Sequence, residues 1–427
     1  MIVLVIAHIV ILFSLAFSIF KNEQSTLRLF FWPALAVRLA VGVAFGLLYT
    51  YYYGAGDTLA YFHDAESLAD LAQQNPVGYL RFLWATDLSH DVITELLFKE
   101  PRALFFSKLT SVFCLLTGKN YWITGLYFSF IAFTFSWYLI RIIVKQFSIV
   151  APAVLAFLFF PSMLLWTSGI IKEALAVPAL FFITGVFLKL YQRDKMFRWE
   201  WILLPIMLWI LWNLKYYYLA VLLPVMITLL VLRLIPAIQL RSWPVKLLIA
   251  CGVFIVPLYV VGMLHPNFYP ERLFDVIVTN YYAMVQLSTP QDVVIFSGLE
   301  PTAGSILQHS PKAIATGLFR PFLWEASNVL QTIASLENLF LLLMALTAAY
   351  KVVKTRVVRE PELMIGILLY CILLSVFLTL STPNYGTLSR YRVGFLPFFV
   401  FVISLQSSLV YNLTEIFQRT VSRLVPK

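Results

Sequence analysis

Charge is what this chain has least of. Only 12% of its 427 residues are Asp, Glu, Lys or Arg, against 61% that are hydrophobic. Soluble domains carry about 25% charged residues, so a single water-soluble core is excluded and a bilayer is the fitting solvent. Cysteine is scarce too. Cys114, Cys251 and Cys371 stand in apolar runs without ligand spacing, which excludes a disulfide framework or zinc motif and reads them as small core hydrophobes. There is no GxGxxG and no P-loop, so no folded nucleotide-binding unit is expected. The apolar stretch from Ile2 has no basic n-region and no clear cleavage site, and reads as a retained span rather than a signal peptide. No repeat of fixed period and no low-complexity tract occurs.

What is abundant is apolar length. Runs long enough to cross a membrane fall near 2–20, 29–50, 121–142, 149–167, 172–190, 200–213, 216–235, 246–264, 329–350, 362–381 and 392–412. They predict an all-α, polytopic membrane bundle of about eleven spans, one membrane domain over 1–427. The run 103–118 carries Lys108, and if it crossed it would put Arg141 and Lys145 on the wrong side; it is read as re-entrant or interfacial. Eighteen of the 31 Lys and Arg then face one side with six acids, while the other side has twelve basic and fourteen acidic residues. That is the positive-inside pattern. The net charge of +10 is therefore topology rather than a nucleic-acid footprint, and a membrane location is expected.

Two external loops follow, 51–120 and 265–328. The first reads as amphipathic interface helices over Asp57–Leu71, Val77–Trp84 and Asp91–Phe98. The second, holding Pro266, Pro270, Pro290, Pro301 and Pro311, is expected to break into short pieces.

The chemistry-bearing residues gather on that external side. After a Gly-Ala-Gly comes the first dense acidic cluster, with Asp57, His63, Asp64 and Glu66. An acid held at the membrane face, against lipid and aromatics, can reach general-base use. Asp57 or Thr58 as a helix N-cap is the plainer reading, compatible with the first. Asp57, His63, Asp64 and Glu66 also have the spacing to hold a divalent ion, although an acidic helix face in water explains them more simply.

Cations stand at the outer ends of spans: Lys172 beside Glu173, Lys215 before Tyr216, Arg320 near Glu325, and Arg390 and Arg392 after Tyr385. Local pairs would account for Lys172 with Glu173 and for Arg320 with Glu325, and snorkelling for Lys215. Arg390 and Arg392 lie in a short external loop, where positive charge is disfavoured. Arg38, in mid-run, is read as bridging helices through carbonyls, without chemistry. Lys172, Lys215, Arg320, Arg390 and Arg392 together put five cations at one membrane level, facing an acidic loop. Cations hold phosphate or pyrophosphate, and a carboxylate activates an acceptor hydroxyl.

At these residues the chain resembles the GT-C superfamily of integral-membrane glycosyltransferases, in particular bacterial members that use polyprenyl-phosphate sugars. The likeness spans the architecture of most of the chain and rests on short motifs: the Asp57 loop, the turn from Pro161 through Trp166 to Lys172 and Glu173, and the loop from Asn384 to Arg392. It implies inverting transfer from a polyprenyl-phosphate-linked sugar to a glycan, lipid or protein acceptor on the external face, without an obligatory metal. Asp57 and Asp64 would be catalytic, Glu66 being the alternative second acid. His63, Glu66, Lys172, Glu173, Lys215, Tyr216, Arg320, Tyr385, Arg390 and Arg392 would line the substrate site. One departure stands out: the acid follows the second span rather than the first, so either an N-terminal helix is added or the count shifts by one. O-antigen polymerases and ligases, acting on lipid-pyrophosphate glycans, are a looser likeness. A transporter or flippase of lipid-linked sugar would also want a cationic pocket, but would show paired broken spans in its two halves.

Overall fold

Inside a bilayer only a helix or a closed barrel satisfies every backbone N–H and C=O, so long apolar runs become helices. A computed structural model describes residues 2–23, 25–84, 95–239, 241–269 and 272–410. Among these residues every regular element is helical, and the one extended pairing is an isolated bridge between Val293 and Asn384. In chain order the helices are α1 (Ile2–Phe20), α2 (Ser25–Leu47), α3 (Asp57–Gln74), α4 (Pro76–Trp84), α5 (Pro101–Leu116), α6 (Tyr121–Phe147), α7 (Ala151–Val154) and α8 (Pro161–Trp166). They continue with α9 (Glu173–Tyr191), α10 (Arg198–Leu234), α11 (Pro236–Gln239), α12 (Trp243–Leu264), α13 (Leu273–Leu287), α14 (Ala303–Phe319), α15 (Val329–Thr355), α16 (Pro361–Ser381), α17 (Tyr385–Tyr391) and α18 (Leu396–Gln406).

Among the described residues eight helices are long and apolar enough to cross, and a pair bent by 70°, Tyr385–Gly394 with Leu396–Gln406, makes a ninth candidate. The molecule is an integral membrane helical protein. Two local breaks separate this number from eleven. The run 149–167 is interrupted by a π turn at Leu155–Phe159 and an extended Phe160, so no continuous helix of span length forms there. The runs 200–213 and 216–235 adjoin in one 37-residue element, α10, which consists of two helices that meet at Lys215, where the chain leaves helical geometry (φ −148°, ψ 60°). α5, on the run 103–118, has 16 residues, short of the ~20 that a span takes.

The chain forms two units. The first comprises Met1–Lys145, Met163–Val186 and Phe197–Tyr216. In it α1, α2 and α6 join through aromatic contacts, with Phe31 edge-on to Phe133 and Trp137 at 5.1 and 4.9 Å. Glu23, buried, accepts from Trp137 Nε1 at 2.6 Å. Arg38, fully buried in α2, donates to the Thr167 hydroxyl and to Met163 Sδ (3.3 Å). The bridge expected through carbonyls is thus made by side chains.

Part of this unit, between α2 and α6, is a small lobe. α2 ends in a π turn, and the chain reverses through Gly54 (φ 67°) and Gly56 (φ 142°), where a β-carbon would meet the Tyr49 ring at 2.5 Å. α3 then packs along α5, and Leu68, Leu71, Tyr79, Phe82, Leu96 and Leu104 close a core beneath α4. α3 runs three residues beyond the expected Leu71 and α4 starts at Pro76. Residues 91–94 of the third expected helix lie outside the described residues.

The second unit comprises Gln146–Ser162, Phe187–Met196 and Tyr217–Lys427. Its 265–328 segment does not fragment as the prolines predicted. α13 and α14 are 15 and 17 residues long, and both pack on α16 over a core that includes Ile277, Tyr281, Phe296, Ala313, Leu380 and Tyr385. Pro311 sits inside α14 without ending it, while Pro266 and Pro290 open single 3-10 turns. Cys251 is another correction: it is exposed on α12, whereas Cys114 and Cys371 are buried.

Candidate functional site

In the first unit the site starts with α3. Its N-cap is Gly56, whose carbonyl accepts from Leu59 and Ala60, and no side chain caps the end. Asp57 is therefore the first helical residue, half-buried in the first turn, where a carboxylate is favoured by the helix dipole. The Thr58 hydroxyl instead bonds Tyr121 Oη at 2.9 Å. The expected caps at Asp57 or Thr58 are absent because Gly56, lacking a β-carbon, takes the cap position beside Tyr49.

Asp57, Tyr61 and Asp64 follow at i, i+4 and i+7, on one helix face. Asp64 is fully buried and accepts from Leu97 N (2.8 Å), Phe98 N (3.1 Å) and Ser107 Oγ (3.4 Å). Burial pushes its carboxyl above the usual range, and the N–H bonds, the His63 ring and Ser107 only partly oppose that. These bonds tie residues 97–98 to α3 and lay the Phe98 ring on Tyr61, centroids 4.4 Å apart. Asp64, expected as a catalytic partner, is in place as an anchor.

Lys172 Nζ lies 5.5 Å from the Tyr61 centroid. Glu100, the N-cap of α5, accepts from Ala103 N (3.0 Å) and Arg102 Nε (2.6 Å). Burial raises the Glu100 carboxyl, but Arg102, the nearby Lys172 charge and the Ala103 N–H outweigh it and hold it below its ordinary value. Arg102 Cζ is 5.6 Å over the Tyr216 ring. Glu173, first residue of α9, has a partner beyond its sequence neighbour Lys172. It meets Lys215 Nζ at 2.7 Å, and both side chains are all but inaccessible at 0% and 3%. The kink in α10 is what brings Lys215 to that carboxylate.

His63 is exposed, 3.8 Å from Asp64 Oδ1, and Glu66 is half-buried, its carboxyl pushed up by burial against the pull of His63 and Lys119. Asp64 faces into the lobe, so Asp57, His63, Asp64 and Glu66 do not converge on one ion. Among the described residues no three His, Cys, Asp or Glu side chains do.

In the second unit, Arg320 grips Glu325 through two bonds, one Nε to Oε2 at 2.9 Å, and lies 5.5 Å over Tyr385, itself buried in the core. Arg392 is 1% exposed, donating to Asn338 Oδ1 (2.7 Å) and Glu337 Oε1 (3.2 Å). Arg390 is half-buried beside the Tyr391 ring. Of the five cations expected to grip phosphate, Lys215, Arg320 and Arg392 are thus each held by a carboxylate. A buried charge requires such a partner.

Burial opposes ionisation of Glu325, but the Arg320 hydrogen bonds, with the Phe322 N–H, hold its carboxyl below the ordinary value. That pairing stabilises the fold above the unfolded value of about 4.3 and is lost as pH falls through the lower, folded one. Glu325→Gln is accordingly expected to lower the melting temperature in detergent at neutral pH and to shrink its decline on acidification. Parallel melting curves for both proteins from pH 7 to 3 would refute this.

Tyr61, Phe98, Glu100 and Arg102 were not singled out in the sequence. The one local signal was Glu100 before Pro101, a helix-start signature heading an apolar run. The pairing of Glu173 with Lys215 had no signal at all. Fold and site define a polytopic membrane protein with an acid, cation and aromatic cluster on its first large loop. No family model, curated protein or solved structure gives a significant match to the chain.

Proposed function

We propose that the protein is a membrane glycosyltransferase moving a sugar from a polyprenyl-phosphate donor to an acceptor hydroxyl at the external face of a bacterial inner membrane. The observation that carries the reading is the Lys172 ammonium over Tyr61, one helical turn from Asp57. The Asp57 carboxylate takes the proton of the acceptor hydroxyl. The acceptor oxygen bonds to the anomeric carbon while the bond from that carbon to the phosphate oxygen breaks, and polyprenyl phosphate leaves with the electron pair, inverting the centre. Lys172 and Arg102 offset the charge that develops on the leaving phosphate. The stacked Tyr61 and Phe98 give that region an aromatic wall, and Asp64 positions Phe98. Lys215 and Glu173 fix the adjoining turns rather than grip substrate. A polymerase or ligase reading leans on external arginines, two of which are committed to Glu325 and Glu337.

The test supplies membranes holding the protein with polyprenyl-phosphate sugar labelled in the sugar, and in parallel with a lipid-pyrophosphate glycan. Label is expected to leave the first donor for an acceptor, above vector control, and not the second. Lys172→Ala is expected to lower the rate about a hundredfold, the scale of losing one group that stabilises developing charge. Transfer from the pyrophosphate donor alone, or from neither, would discard the proposal.

A further inference from the structure

A cleft of about 350 Å³ opens where α9 ends, at the opposite terminus from Glu173, and is lined by Tyr191, Gln192, Arg193, Arg233 and Pro236. All five residues belong to the second unit. We propose that this cleft binds a phosphate group, carried by an anionic lipid headgroup or by a soluble phosphate.

Two guanidinium groups, an amide and a phenol line it, with no acid. Arginine forks match phosphate oxygens bidentately, and the volume falls in the roughly 300–1,000 Å³ range of small-molecule sites. Both arginines are held: Arg193 Nη2 donates to the Leu234 carbonyl at 3.3 Å, and Arg233 Cζ lies 5.2 Å over the Tyr191 ring. Acids stand near the cleft but are not among its lining residues. Glu362, within electrostatic reach of Tyr191 together with Glu360, meets Lys246 at 3.4 Å, and Asp194 Oδ1 accepts from Lys195 N.

The backbone places Arg193 at the mouth of the cleft. α9 closes with Arg193 N to Leu190 O and Asp194 N to Lys189 O, and this puts Arg193 at φ 56°. That left-handed position normally goes to glycine or asparagine. Arg193 shares it with Lys119, Ser148, Arg356 and Glu360, and here it turns the chain beside the cleft. Arg193 and Arg233 belong to the side that the charge pattern makes cytoplasmic, where anionic headgroups and soluble phosphates both reach a protein.

The experiment uses the full chain in nanodiscs. Native mass spectrometry compares retention of phosphatidylglycerol and phosphatidylcholine, and calorimetry titrates pyrophosphate into discs of phosphatidylcholine alone. Wild type is expected to prefer phosphatidylglycerol, and Arg193→Gln with Arg233→Gln to weaken that preference at least about tenfold, each basic side chain near the surface being worth about fivefold. The matching Arg→Lys pair should fall between. Saturable pyrophosphate binding that the Gln pair abolishes identifies a soluble phosphate as occupant; lipid preference without it identifies the headgroup. Equal retention of both lipids by wild type with no pyrophosphate binding overturns the proposal, and needs no variant to fold. So does a folded Gln pair that binds as wild type does. Neither readout involves glycosyl transfer, so the outcome is independent of the proposed activity.

Discussion

Glu173→Ala is expected to destabilise the protein by about 3–5 kcal/mol, the cost of leaving one member of a buried ion pair without its partner. The stranded group is the Lys215 ammonium, 2% exposed, at the one residue of α10 that leaves helical geometry. Thermal unfolding in detergent, followed by loss of monodisperse protein, measures the effect. The double variant Glu173→Met, Lys215→Met removes both charges, and replacing a buried pair by apolar groups of similar volume is often neutral. It is therefore expected to recover most of the lost stability. Glu173→Ala melting with wild type would show that the pair contributes little, and a double variant melting lower than Glu173→Ala would show that the stranded charge is not the cause of the loss.

Asp57→Asn is expected to lower glycosyl transfer by about 10²–10⁴-fold, the range attributed to a general base, while lowering the melting temperature only slightly, through the lost helix-dipole contribution. The prediction gains its edge from Asp64, seven residues on along the same face. Asp64→Ala removes the acceptor for Leu97 N, Phe98 N and Ser107 Oγ. Each donor left buried and unpaired costs about 1–3 kcal/mol, so that variant should lose stability first and activity as a consequence. Comparing rate and melting temperature at matched expression separates a chemical carboxylate from an anchoring one. If Asp57→Asn transfers at the wild-type rate, its place in the first turn of α3 is a helix-dipole contribution and nothing more.

These contrasts also mark how far the sequence could be read. Apolar length is a local property, and it located nearly every long helix, along with the α3 and α4 segments of the first loop. The break at Lys215 was legible as a polar interruption between two apolar runs. Pairing is not local. Glu173 lies next to Lys172 in sequence, yet its carboxylate meets Lys215, because the kink in α10 delivers that ammonium from 42 positions away. Asp57 and Asp64 looked alike as acids in one cluster. Only the fold, which brings residues 97–98 under Asp64, assigns the second a tethering task. The proline-rich segment misled for a related reason: Pro311 removes one amide hydrogen from α14, and packing on α16 outweighs that loss.

The kink at Lys215 has an electrical consequence. A continuous helix carries its partial charges only at its two termini, whereas one that breaks in the middle acquires two more. The first half of α10, up to Leu214, brings the negative end of its dipole to the break. The second half, from Tyr216, brings the positive end of its dipole to the same place. Lys215 sits at the junction, its ammonium suited to the carbonyl end, and the Glu173 carboxylate 2.7 Å from that ammonium brings the sign that suits the amide end. The four charges, two whole and two fractional, form a closed quadrupole in an otherwise apolar stretch of chain. Any substitution that lets α10 run straight through position 215 would dissolve the two fractional charges and leave the ion pair without the field that balances it.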